Sequence, residues 1–227
     1  SEWCGHGPVL EEDIAMTNVA LDLVGQARSI LAYAGEVEGK GRSEDDLAYL
    51  RSEREFLNTQ LVEMPNGDFA ETMARHFFFD AYSKPFYAGL SKSADEQLAA
   101  FAAKSLKEVQ YHLRHSSEWI LRLGDGTEES HERMQNALDH LWRYTGELFE
   151  MDEVDEMMIA EGIGVDMASI QEEWNKKVDE IVSEATLRRP ENEWMARGGR
   201  NGIHTEHLGF ILTELQYMQR TYPGATW

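Results

Sequence analysis

Cysteine is almost missing from this chain. Cys4 stands alone, so no disulfide can close within it, and nothing points to an oxidising compartment. Proline is scarce, with five in 227 residues, and long stretches lack both proline and glycine. No run of alternating polar and apolar residues is long enough to read as a strand. No apolar run approaches the roughly 20 residues that span a bilayer. The start, Ser1 to Pro8, has no basic stretch followed by an apolar one, so no secretory signal is read there. Positive charge is the last shortage: 21 Lys and Arg against 42 Asp and Glu give a net charge of -21. Such a chain repels phosphate backbones and the anionic face of a cytoplasmic membrane. Nucleic acid and membrane are therefore not its partners, and a cytoplasmic protein is expected.

What remains is helix. A chain of this length can bury one sizeable core. Glu11 to Asp13 load the first turn of a helix from about 11 to 34, with Ile14, Leu21, Val24 and Leu31 at helical spacing. Ser43, with Asp46 at the capping-box position, opens a second helix to about 62. Pro65, Asn66 and Gly67 form a turn. Asp68 then caps a third helix to about 90. Ser93 caps a fourth to about 123, and Gly124 to Gly126 stop it. Thr127 caps a fifth to about 149. Shorter helices follow over 153–160, 167–187 and 205–221. Long helices with short connections read as an all-α antiparallel bundle over about 10–150. Residues 151–227 read as a helical extension packed on it, within a single domain.

Carboxylates and eight histidines in a long-helix bundle invite a test for a di-iron site. The template needs a Glu from each of two helices and a Glu-x-x-His from each of two others. Only one literal Glu-x-x-His is present, Glu128 and His131, and it sits in a helix's first turn, where an acidic start is ordinary. Glu108 and His112 share a face at i, i+4, but a buried, hydrogen-bonded histidine is the simpler reading. Asp80 interrupts the aromatic stretch from His76 to Tyr82 and is costly there unless paired. It reads either as a ligand or as a polar pair with Lys104 or His112 on the next helix. Asp22 and Gln26 have a similar character in the first helix. The glycines at 198, 199 and 202 lie near Arg197 and Arg200, but no strand or P-loop lysine accompanies them, so a connector is preferred to a phosphate site. His204 and His207 read as capping and packing residues. Cys4 has no activating partner in the sequence, and there is no nucleophile elbow.

Several long segments carry a resemblance. They are Glu2–His6, Ala20–Arg28, Pro65–Phe69, Ala103–Arg114, Arg122–Thr127 and Gly202–Gly209. On these the chain resembles the structural, non-catalytic subunits of bacterial phenylacetyl-CoA epoxidases. The resemblance implies a ferritin-like bundle paralogous to a di-iron catalytic subunit, with a further bundle helix upstream of residue 1. Laid on the catalytic paralogue's motifs, Leu23 and Val109 stand for glutamates and Gln26 for a histidine, while Asp80 and His112 are kept. Leucine and valine cannot ligate iron, so the resemblance implies a degenerate site without a metal or other cofactor in this chain. It implies as partners the catalytic di-iron subunit, a small bridging subunit and, through the complex, a reductase, or a homodimer when the chain is alone. Two alternatives stay open. One is an autonomous di-iron or di-manganese enzyme. The other is a helical module for a CoA thioester, with Arg188, Arg189, Arg197 and Arg200 toward its phosphates.

Overall fold

A computed structural model describes residues 2–191 and 194–225. Among them there is no strand; eight α-helices are joined by turns and short 3-10 segments. They are α1 (Leu10–Glu38), α2 (Glu44–Tyr49), α3 (Phe69–Leu90), α4 (Glu96–Gly124), α5 (Glu128–Trp142), α6 (Glu153–Ala160), α7 (Met167–Glu184) and α8 (Glu206–Thr221). The described residues form two compact units. Residues 57–203 make one; residues up to 56, with those from 204 onward, make the other. The chain thus divides at 56/57 and 203/204, not near residue 150.

In the 57–203 unit, α3 packs on α4, α5 and α7, and α4 also meets α5 and α7. Helix α7, expected in an extension, is therefore one of four core helices. Its Trp174 explains this. The indole lies against Phe78 of α3 and Trp142 of α5, at 5.9 and 5.5 Å between ring centroids. Its Nε1 donates to the Phe78 carbonyl at 2.9 Å, so the ring is buried without an orphaned N–H. Phe77, Phe78, Met73, Ile120, Met134, Leu138 and Leu141 have essentially no exposed surface.

Side-chain caps set most helix starts. Asp68 accepts from the Glu71 amide, Thr127 from that of Ser130, and Asp152 closes a capping box with Asp155. At α4 the cap is Asp95, which accepts from the amides of Gln97 and Leu98, each at 2.9 Å. Ser93, expected in that role, instead accepts from the Asp95 amide.

In the other unit, α2 packs against α1 and α8. Gln216 of α8 is buried, and its Nε2 donates to the Arg51 carbonyl at 3.0 Å. His204 bonds through Nε2 to the Phe56 carbonyl at 2.8 Å. The expected helix to residue 62 ends at Tyr49. Ser52 starts a 3-10 turn with Glu55, and the Arg51 guanidinium donates to the carbonyls of Leu47 and Glu55. Local side-chain bonds to the backbone thus replace the helical ladder. This unit keeps much apolar surface in water: Leu21, Val24, Phe210 and Tyr217 are each more than half exposed.

Candidate functional site

Helices α3 and α4 carry the polar residues that the sequence picks out. Asp80 sits one turn beyond His76 on α3 and is 6% exposed. Its Oδ2 accepts a hydrogen bond from Ser116 Oγ of α4 at 2.8 Å. The Ser116 hydroxyl also lies 3.0 Å from the His112 carbonyl, one turn back. Asp80 is therefore paired with Ser116 rather than with Lys104 or His112; Lys104 is exposed. Val109 and His112, 2% and 1% exposed, precede Ser116 on the same buried face of α4.

Electrostatics follow from burial. Desolvation of the carboxylate pushes Asp80 up to about 7, and the Ser116 bond only partly opposes it. A serine hydroxyl has one hydrogen to give and lone pairs to receive. With Asp80 protonated, its O–H can donate to Ser116 Oγ while Ser116 donates to the His112 carbonyl. With Asp80 ionised, that one hydrogen must turn to Oδ2. The neutral acid therefore satisfies the chain of three groups better than the anion. His76 is half-buried as a residue, yet desolvation of its ring brings it down to about 3, helped by positive charge on Arg75, His112 and His115. The imidazole is neutral at physiological pH.

Leu23 and Gln26 lie on α1, in the other unit. Leu23 is 39% exposed, and Gln26 is buried. A carboxylate-bridged metal pair needs several carboxylates converging with imidazoles. At the α3–α4 face Asp80 is the buried carboxylate among the named positions and already faces a hydroxyl, Glu108 is half-buried one turn before His112, and Val109 offers only hydrocarbon. These donors do not fit two metal ions. Among the described residues, no three His, Cys, Asp or Glu side chains converge so as to hold one.

The other sequence candidates have structural partners. His131 bonds through Nδ1 to the Gly124 carbonyl at 2.6 Å, closing the end of α4. The four arginines considered for phosphate binding each face a carboxylate: Arg188 faces Asp139, Arg189 Asp179, Arg197 Glu150, and Arg200 both Asp152 and Asp155. Phosphates would have to compete with these. Cys4 is exposed.

Two buried acids escaped the sequence reading. Glu147 is 1% exposed and receives the backbone N–H groups of Gln60, at 2.8 Å, and Gly199. Glu63, also 1% exposed, receives Asn58 Nδ2 at 2.9 Å. Glu147 ties the glycine-rich loop into the core, so that loop is anchored rather than a loose connector. A Cβ on Gly199 would come 2.4 Å from the Asn58 carbonyl oxygen. The available signal was Glu147 itself, an acid set beside Leu148 and Phe149. Ser116 was also legible, since 109, 112 and 116 form one stripe at helical spacing.

These features define an all-α helical protein of the ferritin-like kind whose central polar site holds a hydrogen-bonded, near-neutral aspartic acid. Residues 1–227 match the family of phenylacetic acid catabolic proteins, and the chain belongs to that family. It is 50% identical, over 226 residues, to an Escherichia coli K12 protein named as a 1,2-phenylacetyl-CoA epoxidase subunit, its C component. The match covers 100% of this chain and 91% of that relative.

Proposed function

We propose that this chain is the non-catalytic structural subunit of a multicomponent oxygenase that epoxidises the aromatic ring of phenylacetyl-CoA in aerobic phenylacetate catabolism. It pairs with a di-iron catalytic subunit, and a small bridging subunit and a reductase complete the complex. Half-identity to the named epoxidase component across the whole chain carries this reading. The donor set of the α3–α4 site supports the absence of a cofactor in this chain. Asp80 is matched to Ser116, and Val109 is a hydrocarbon where a bridging acid would be needed. The apolar surface left in water by Leu21, Val24, Phe210 and Tyr217 suits a protein that works with a partner. No helix among the described residues is long and apolar enough to cross a membrane. The reading places the complex in the cytoplasm, with its CoA thioester substrate.

The partner reading has a direct test. The catalytic subunit is expressed with and without this chain, and the products are compared by size-exclusion chromatography and by oxygen-dependent turnover of phenylacetyl-CoA in the presence of reductase. Co-elution, together with turnover that falls to background when this chain is left out, is expected. Full turnover by the catalytic subunit without this chain, with separate elution, would overturn the reading.

A further inference from the structure

The two units bury their apolar residues unequally. Among the described residues, the 57–203 unit buries 28 hydrophobic residues and leaves eight large ones exposed. The other unit buries five and leaves 14 exposed. Six of those 14 lie on α8 or at its C-cap: Phe210, Ile211, Leu215, Tyr217, Met218 and Tyr222. The helix is therefore apolar on two sides. Leu208, Leu212 and Gln216 form its buried stripe, and at about 100° per residue the six exposed residues fan over about 160° beside it. A helix that is apolar over so much of its circumference is one that a globular protein keeps covered.

The make-up of this face points to a protein partner. Aromatic residues and methionine are enriched at the centres of protein interfaces, and charged residues are depleted there. Phe210, Tyr217 and Tyr222 are each more than half exposed. From Gly209 to Gln219 the one charged residue is Glu214, in a chain that is 28% charged. Glu214 is exposed within the apolar fan, and no ion pair among the described residues uses it. Arg220, the cation of α8, donates instead to the carbonyls of Leu50 and Arg51. The position of Glu214 decides between partners. If two copies paired α8 with α8 about a two-fold axis, the contact would set Glu214 close to its own counterpart. Two carboxylates leaving water together oppose that pairing, and two chains of charge -21 add to the repulsion. A different chain that presents an apolar surface with a lysine or arginine opposite Glu214 meets no such cost.

We infer that the exposed face of α8 is a docking surface for a different subunit, the catalytic partner of the epoxidase, and that Glu214 meets a cation of that partner. The inference rests on the epoxidase reading for the partner's identity. Phe210 and Tyr217, two turns apart on one line of the helix, are the apolar anchors, and Met218 adapts to the surface that covers them. A stable pair buries about 800 Å² on each side, so α8 gives the centre of the contact and not the whole of it.

The test mixes the whole chain with the catalytic subunit and reads affinity by titration calorimetry, with the mass of this chain alone read by sedimentation equilibrium. Phe210→Ala and Tyr217→Ala are each expected to weaken binding about tenfold or more. Glu214→Lys is expected to weaken it more than Glu214→Gln, because it sets a cation against a cation. Val154→Ser, at an exposed apolar residue of the other unit, is expected to leave affinity unchanged. All these side chains are exposed, so each variant should melt as the wild type does. Binding by the wild type with unchanged affinity in the α8 variants would overturn the inference and leave the epoxidase reading standing. So would a dimer of this chain that the same substitutions break. Failure of the wild type to bind the catalytic subunit would overturn the epoxidase reading, and with it the partner named here.

Discussion

Asp80→Asn is expected to stabilise the protein above about pH 7, and to lose that advantage progressively as pH falls toward 4. The sign follows from linkage. Burial raises the folded-state value of Asp80 from 3.8 to about 7, so between those values the folded chain holds a proton that the unfolded chain has released. Stability from the neutral acid is fully present below about 4 and is lost as pH rises through about 7. Asparagine keeps an oxygen to accept from Ser116 and never ionises, so it avoids the loss. At roughly 1.4 kcal/mol per unit, with some relaxation around the charge, the difference at pH 8 is on the order of 2–4 kcal/mol. Urea denaturation of both proteins at pH 4, 6 and 8 measures it. A difference that does not change with pH would show that Asp80 is not a buried near-neutral acid. His76 acts with the opposite sign. Its folded value is lowered, so its contribution is present above about 6.5 and is lost as pH falls toward 3. Subtracting wild type from the variant removes His76 from the comparison.

Glu147→Ala should instead be damaging, with a loss on the order of 3–5 kcal/mol from two buried donors left unsatisfied. It strips two backbone donors, the amides of Gln60 and Gly199, of their shared acceptor in a place that water does not reach. The glycine-rich loop would detach from the 3-10 turn over Gln60–Glu63. Glu147→Gln keeps one acceptor oxygen and should lose less. Thermal denaturation of both variants, with amide exchange at Gly199, is the measurement. Native melting of the alanine variant would mean that the carboxylate is not what holds the loop.

The local chemistry of the helices could be read from the sequence where a single residue decides the outcome. Ser43, Asp68 and Thr127 each cap the helix that their position suggests, because a side-chain oxygen needs only the next three amides. Where several weak local choices compete, reading failed. The helix expected to residue 62 ends at Tyr49 because Arg51 and Ser52 offer the backbone other partners. The helix expected to 149 ends at Trp142, where Thr145 Oγ1 donates to the Trp142 carbonyl at 2.8 Å. The place of α7 in the core was hidden for a different reason. Its stripe of Ile170, Trp174, Val178 and Ile181 shows that it buries a face, but periodicity does not say against which helix. The same holds at the site. Sequence flagged Asp80 as an acid that needs a partner. Which of Lys104, His112 or Ser116 supplies it depends on the register of α4 against α3, and only the fold fixes that.

Iron content separates the structural subunit from an autonomous di-iron enzyme most directly. The chain, expressed alone in iron-supplemented medium, would be purified and its iron counted per chain by elemental analysis, beside the catalytic subunit prepared in the same way. Iron far below one atom per chain here, with iron retained by the catalytic subunit, is the predicted result. Two tightly held irons per chain in this protein would contradict it, because Asp80, Val109 and His112 would then lie beside a metal pair that their chemistry does not support.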